Sequence, residues 1–458
     1  MIQTVLFYDL ETSGLSQSFD QIIQYAAIRV DSSFDIIDEV DLKIKTSHGL
    51  LPSPDAMLTH GIGIHDYHDQ MAEIDAVRQI HQFHNTPGTM SGGYNTLGFD
   101  DEFLRFSFYR HLLHPYSHQF SQGCGRFDIY AMVPFYYLYD RSAIEWPILN
   151  GRISMKLEHL NEANQWCQGT AHEALHDVRV TMALAKALRQ HHEDKWQYVF
   201  GYFNKTEEMD RFLKLPVVAK IGDLSCRGGL LISGLFAARG FVRPALYLGA
   251  HQLYKNQSLW LYLDETINFD QPFYQLICKK KPAEGPFILP MNERFSAVLS
   301  DEQKENIDNN FMFLKKHGPD LKTLLAKALS QEMPKNENVD MDAMLYQEGF
   351  RQHCDYQWGM SFHEASFDQK QNMLLYAPSE IMKVQAARML VRNFEIPQDS
   401  SLHHLAQLNH RGCDHKGRYH PDELDILKRI EQLMQGSLTD QQKSLMHEYE
   451  KKISRASL

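Results

Sequence analysis

The apolar positions of this chain change rhythm twice. Over the first 190 residues, strand-like and helix-like patterns alternate. Residues 4–8 form a short apolar run of the kind buried inside a sheet. Residues 21–30 and 34–45 predict two further strands, with Asp31-Ser32-Ser33 turning between them. Residues 72–84 have helical spacing in Ile74, Val77, Ile80 and Phe83, and the pattern stops before Thr86-Pro87-Gly88. Residues 90–95 predict a strand, and 100–111 a helix whose acid-rich start suits the helix dipole. Residues 127–135 fit either a strand or a buried helix. Helices are predicted over 157–166 and 177–190, the second with Val178, Met182, Ala185 and Leu188 along one side. Three strands in meander, then alternating helices and strands, predict an α/β layered domain with a mixed sheet.

From about Trp196 short aromatic and β-branched runs (230–236, 244–248, 258–263, 273–278) are broken by Gly, Pro and Asn. That texture predicts a small β-rich barrel or sandwich. From about Glu302 helical spacing returns over 309–316, 320–330, 380–394, 424–435 and 439–454. The polar stretch 330–338, with Pro334, is the expected linker. The division expected is 1–192, 193–335 and 336–458.

Composition refines this outline. At 458 residues, with 43% hydrophobic and 23% charged residues, the chain is expected to be a globular protein of two or three domains. No run of about 18 apolar residues appears, nor a basic stretch followed by an apolar segment and cleavage site, so a cytoplasmic protein with no membrane partner is expected. Six scattered cysteines without a C-x-x-C pair read as reduced thiols. His410, Cys413, His415 and His420 lack the paired spacing of a structural zinc site and read as an exposed polar loop. The net charge of −12 argues against indiscriminate coating of nucleic acid. Residues 1–190 hold 13 Lys and Arg against 23 Asp and Glu, whereas 191–290 hold 12 against 10. The acidic part would repel a polyanion unless cations offset its carboxylates, while its neighbour is better placed to grip phosphates.

The candidate chemistry sits in that acidic part. The first strand ends in Asp9-Leu10-Glu11, and alternate strand residues share a face. The Gly- and Asn-rich loop Gly93-Tyr94-Asn95 leads to Asp100 at a helix start. Ala171-His172-Glu173-Ala174-Leu175-His176-Asp177 places a histidine ahead of a fourth acid. Each element alone has an ordinary reading: a surface acid pair, an N-terminal cap, a lone surface or core histidine. Together they supply carboxylates for hard divalent cations and a base that titrates near neutral pH. That set suits metal-assisted hydrolysis of a phosphodiester. His176 competes with His172 for the role of base, but as the immediate neighbour of Asp177 it should point elsewhere.

The order, spacing and flanks of these elements resemble the DEDDh group of 3′–5′ exonucleases, which have a ribonuclease-H-like fold. Phe99-Asp100-Asp101-Glu102 with Phe108-Tyr109-Arg110, then Lys156-Leu157-Glu158-His159-Leu160, the run from Ala171 to Val178, and Ile232-Ser233-Gly234-Leu235-Phe236 are similar to the bacterial exonuclease I family. The resemblance covers essentially the whole chain and is densest through residue 190. It implies an α/β ribonuclease-H-like exonuclease domain, then a β-rich SH3-like domain, then an all-α C-terminal domain. It implies Asp9, Glu11, Asp100 and Asp177 as metal ligands, His172 as general base, and Glu11 and Lys156 as substrate contacts. Two Mg²⁺ ions, with Mn²⁺ able to substitute, are implied about 4 Å apart.

The implied activity is stripping single-stranded DNA to 5′-mononucleotides in repair and recombination. The implied partner is the acidic C-terminal tail of single-stranded DNA-binding protein, and the implied state a monomer. Lys156 stands where the family has arginine, which keeps the charge but loses the bidentate fork. Extra residues also lie near 221–229. In the middle segment Arg227, Arg239, Arg243 and Lys279-Lys280-Lys281 interleave with Phe236, Phe241, Tyr247 and Trp260, a mixture that suits phosphate contact and base stacking, although most of those aromatics are expected in the barrel core. Two other readings stay open: an exoribonuclease trimming RNA 3′ ends, and a single-stranded nucleic acid binding protein with a vestigial site.

Overall fold

The computed structural model describes residues 3–169, 173–222, 224–332, 335–408 and 412–456. The first sheet is built from β1 (Thr4–Thr12), β2 (Ile22–Val30), β3 (Ile36–Lys43), β4 (Thr89–Gly93) and β5 (Gly125–Asp128), in the order β3-β2-β1-β4-β5. β1, β2 and β3 pair antiparallel, and β4 and β5 join in parallel. This is the mixed sheet expected. Interleaved are α1 (Pro54–His60), α2 (Glu73–His84), α3 (Asp100–Arg110), α4 (Ile129–Tyr139), α5 (Leu157–Asn164) and α6 (Ala174–His191).

The sheet separates two layers because β1 alternates. Leu6, Tyr8 and Leu10 share a core with Val77 and Ile80 of α2 and Phe103, Leu104 and Phe108 of α3. Phe7 points the other way, into the core with Ala174, Val178 and Ala185 of α6. Residues 127–135 turn out to be both of the alternatives: β5 ends at Asp128, whose carboxylate caps α4 by accepting from the Tyr130 amide at 2.9 Å. At two positions the sheet demands glycine. A Cβ on Gly92 would lie 2.2 Å from the Phe127 carbonyl oxygen, and one on Gly93 2.3 Å from that of Tyr8.

The core continues from α6 through Trp196, Val199 and Tyr202 into the second sheet. That sheet comprises β8 (Val217–Ile221), β9 (Leu224–Ile232), β10 (Val242–Ala250), β11 (Ser258–Tyr262), β12 (Ile277–Lys280) and β13 (Phe287–Pro290), after a two-residue ribbon of β6 (Ile148–Leu149) and β7 (Arg152–Ile153). Its order is β12-β11-β10-β9-β13, with β8 also on β9. The expected strand over 273–278 is instead a helical turn, Phe273–Leu276, followed by β12. Helices dominate from Asp301–Lys316 onward. Of the expected linker, residues 333 and 334 lie outside the described residues.

The helices Glu423–Met434 and Asp440–Ala456 form a hairpin that packs back onto α1. Met57 is buried among Ile426, Ile430, Met446, Tyr449 and Ile453, and Tyr449 Oη donates to the Pro52 carbonyl at 2.7 Å. Side chains of this size contribute about 1.5–3 kcal/mol each when fully buried. The bidentate pair of Arg429 with Asp55 lies at the surface and adds little.

All six cysteines are unpaired, as expected. The loop around Cys413 differs from expectation. Cys413 and Asp414 are buried, Cys413 bridges Val339, and the His415 ring stacks on Phe106 at 4.8 Å. Its residues pack against α3 rather than into solvent, and His410 lies outside the described residues. No helix among the described residues is long and apolar enough to cross a membrane.

Candidate active site

Beyond Phe7 the same face of β1 carries Asp9 and Glu11. Asp177 stands in the first turn of α6, the helix over that face. Ala174, Thr181, Leu184 and Leu188 lie three, four, seven and eleven positions from Asp177 or its stripe and are buried, so helical spacing turns Asp177 toward the sheet. Asp100 enters from the other side as the first residue of α3. The four acids thus come from the end of β1 and the starts of α3 and α6, near enough to act on one another's charge.

The loop before α3 is held by a carboxylate outside the expected set. Asp128 accepts from the Asn95 amide at 2.8 Å and the Leu97 amide at 3.2 Å, while the Gly93 amide donates to Thr96 Oγ1 at 3.1 Å. Asn95 takes a left-handed backbone, φ 64°, which asparagine tolerates well. This accounts for the Gly- and Asn-rich composition of the loop. Burial pushes the Asp128 carboxyl up to about 6, against the pull of its amide donors. The only sequence sign of Asp128 is an acid at the junction of an apolar strand and an apolar helix.

Electrostatically the acids behave as one cluster. Burial raises Asp9 well above the usual carboxylate range, and Asp100 and Asp177 raise it further. Burial, then Asp9 and Asp177, push Glu11 up to about 9. Asp100 is raised by burial, with Asp128 and Glu11 adding to the effect. The Leu10 amide works against this rise at both Asp9 and Asp100. Carboxylates that push one another's protons on are short of positive charge. Among the described residues no three such side chains stand in a group that could hold a metal ion as arranged. The fit to a divalent cation rests on this mutual repulsion and on a donor set made of oxygen alone.

The remaining candidates are placed less centrally. His172 lies outside the described residues. His176 is buried, and a Cβ on Gly169 would meet its Nδ1 at 2.3 Å, so its ring fills the space beneath that loop. Lys156 precedes α5 at the surface, its Nζ 3.4 Å from Glu158, rather than among the four acids.

Immediately beside Asp100 is a second acid with a different task. Asp101 accepts from Arg126 Nη1 at 2.6 Å, Arg105 Nη2 at 2.8 Å and His118 Nε2 at 3.1 Å. Burial works against its charge, but Arg105, Arg126 and His118 outweigh burial and hold Asp101 far below the usual carboxylate range. This hub ties the start of α3 to β5, and Arg126 also reaches Glu284 of the second sheet's loop at 3.4 Å.

Part of the DNA-facing mixture expected in the middle segment is structural, while Arg239, Lys279 and Lys281 are exposed. Trp260 is fully buried, and Lys280 is buried with Nζ 2.9 Å from Glu208. Arg243 is clamped on Asp264 with its guanidinium 3.5 Å from the Tyr262 ring centre. One exposed aromatic of the middle segment is Tyr274, 68% exposed, and others lie beyond the end of α3. Phe120 is 64% and Phe350 85% exposed, beside His114 and Tyr116 respectively.

A family model described as exonuclease matches residues 6–185. The exodeoxyribonuclease I of Escherichia coli strain K12 is 34% identical over 209 residues, covering 45% of this chain and 44% of that protein. That of Haemophilus influenzae is 32% identical over 203 residues, 44% of this chain and 43% of its own length. The chain thus aligns with under half the length of these relatives. Solved structures extend the likeness. E. coli exonuclease I with a dA16 oligonucleotide superposes with a TM-score of 0.81 at 23% identity, covering 98% of this chain and 100% of that one. Residues 6–185 match the exonuclease model, and the whole chain has the fold of exonuclease I. A zinc-bound E. coli exonuclease I–single-stranded DNA complex gives a TM-score of 0.82 at 22% identity over 99% of this chain and 100% of its own. The moderately thermophilic exonuclease I of Methylocaldum szegediense gives 0.79 at 24% identity, over 98% and 99%. In the exonuclease I fold of this chain the four acids lie inside the matched domain, at its carboxyl-terminal strand ends and helix starts.

Proposed function

We propose that this protein is a 3′–5′ exodeoxyribonuclease that degrades single-stranded DNA to 5′-mononucleotides, acting in DNA repair and recombination. The observation that supports the reading is that burial and the mutual repulsion of Asp9, Glu11, Asp100 and Asp177 raise Asp9, Glu11 and Asp100. In this reading residues 1–192 perform the chemistry, while 193–335 and 336–458 hold the strand. The aromatics Phe120 and Phe350 support the single-stranded substrate, because an unpaired base stacks on any exposed ring.

Asp9, Glu11, Asp100 and Asp177 hold the divalent cations. Bound Mg²⁺, two ions with Mn²⁺ able to substitute, supplies Lewis-acid activation of water and of the scissile phosphate. Glu11 also accepts from the hydroxyl at the strand's 3′ end and so selects a terminus. His172 takes the proton as the water oxygen bonds to phosphorus. The bond from phosphorus to the preceding 3′ oxygen breaks, and that oxygen leaves as the new terminal hydroxyl after protonation from solvent. Lys156 meets the phosphate backbone from its surface position. The acidic tail of single-stranded DNA-binding protein is the proposed partner, and the protein acts as a cytoplasmic monomer.

The test is purified full-length protein with Mg²⁺ and single-stranded DNA or RNA of the same sequence. DNA should be shortened from its 3′ end faster than RNA. Asp177→Ala should cost about a thousandfold in rate, the scale of removing one stabilising group from a preorganised site. Activity that survives Asp177→Ala sinks the site assignment, and faster loss of RNA makes the protein an exoribonuclease.

A further inference from the structure

Glu11 on β1 stands opposite Gln24 on β2, and Gln24 stands opposite Lys43 on β3. Directly opposed residues place their side chains on the same face of a sheet, so the three form one cross-strand row. Tyr67, in the connection between α1 and α2, lies over that row. Its hydroxyl is 3.5 Å from Gln24 Oε1, and Lys43 Nζ is 5.7 Å from its ring centre. Gln24 is buried under this cover and is fixed by donating from Nε2 to Asp41 Oδ1 at 2.8 Å. His65, Asp66, His68 and Asp69 around it are exposed, whereas Tyr67 alone turns inward, half-buried. Burial first, then Asp41, Asp66, Glu11 and Glu173, push its hydroxyl up to about 12, so it stays a neutral donor.

We propose that Tyr67 is the wall that receives the 3′-terminal nucleoside, its ring packing against the terminal base while Lys43 and Gln24 fix the ring from behind. This assignment rests on the exonuclease reading of the four acids. If the scissile phosphate is held by those acids, the nucleoside beyond it must lie on adjacent surface, and on the Glu11 side that surface is Tyr67. A ring that merely covered Gln24 would affect stability and nothing else. A ring that contacts the base would affect how the terminal nucleotide is held. Stacking is tolerant of base identity, which suits an enzyme that removes whichever nucleotide comes last.

The test combines binding and turnover in wild type, Tyr67→Phe and Tyr67→Ala. An oligonucleotide ending in 2-aminopurine is bound in the presence of Ca²⁺, and its fluorescence is compared with that of an oligonucleotide carrying the probe at the sixth nucleotide from the 3′ end. The terminal probe should be quenched by wild type and by Tyr67→Phe, and should brighten in Tyr67→Ala, while the internal probe is unchanged. With Mg²⁺, kcat/KM should fall about tenfold in Tyr67→Ala and stay within about twofold in Tyr67→Phe, as expected for one lost stacking contact. Equal quenching in Tyr67→Ala and wild type overturns the assignment, even if Tyr67→Ala melts at a lower temperature. The two readings fail separately. Quenching without any wild-type turnover removes the hydrolytic reading and keeps Tyr67, and turnover without quenching does the reverse.

Discussion

Asp101→Asn isolates the hub that anchors the start of α3. The substitution keeps the shape of the side chain and removes its charge, leaving the guanidinium groups of Arg105 and Arg126 facing a neutral amide in a buried setting. Removing one partner of a buried pair costs about 3–5 kcal/mol. Two features soften the loss here. Arg105 still pairs with Glu102 and Arg126 still reaches Glu284, and the amide oxygen of asparagine can accept one of the three bonds. We expect about 2–3 kcal/mol, a factor of about 30–150 in the folding equilibrium. At a urea m-value of about 2–3 kcal/mol per M, the unfolding midpoint should fall by about 1 M at pH 7.5. The pH dependence gives a sharper check. Asp101 is held far below its unfolded value, so its contribution is complete above about pH 4 and is lost only as pH falls toward its folded value. The gap between wild type and variant should therefore stay constant from pH 8 to 5. A gap below about 1 kcal/mol, or one that already narrows between pH 8 and 5, would refute the account.

Two further outcomes follow from the charges described. His84, His111, His118 and His363 are buried and held below the ordinary histidine range, chiefly by burial, with His363 at about 4. Their folded values lie below the unfolded one, so stability is full above about pH 6.5 and falls as pH drops toward 4, His363 alone costing about 2 kcal/mol by pH 5. Asp128, raised to about 6, and Glu11, raised to about 9, work the opposite way, so the histidine part is read as the difference between wild type and His363→Asn, whose urea midpoints should converge from pH 7 to 5; a constant difference would refute it. At Glu11, pushed up to about 9, a cation must displace a proton at neutral pH. Mg²⁺ affinity measured by calorimetry should increase from pH 7 to 9 with proton release detectable across buffers, and binding without proton release would count against Glu11 as a ligand.

What the sequence revealed, and what it hid, divides along physical lines. β1 was legible because a buried strand that ends in two acids breaks the ordinary alternation, and the helix starts at Asp100 and near Asp177 carried their own periodicity. α1 was missed because its seven residues are stabilised by contacts hundreds of residues away rather than by their own pattern. Residues 127–135 were ambiguous because β5 runs into α4 without a break in apolar character. In the second sheet, composition could not say which aromatic and basic residues serve the fold, as Trp260 and Lys280 do by burial and Arg243 by its clamp on Asp264. Asp128 and Asp101 were invisible as anchors because their roles are defined by partners distant in sequence, Asn95 and Arg126 among them. The role of His172 rests on the motif, since it lies outside the described residues.

The docking of the C-terminal hairpin on α1 sets a clock. Tyr449 meets Pro52 across 397 positions of chain. At a synthesis rate of about 5–20 residues per second, α1 leaves the ribosome about 20–80 seconds before that partner exists. During this interval Leu51, Met57, Leu58 and Ile64 have none of the apolar surface that finally covers them. The segment they belong to also fixes Ser13, whose carbonyl accepts from the Ser53 amide at 2.6 Å, two residues past Glu11. Completion of the acidic site is thus tied to completion of the chain, and a nascent fragment ending before residue 423 would be both sticky and unfinished.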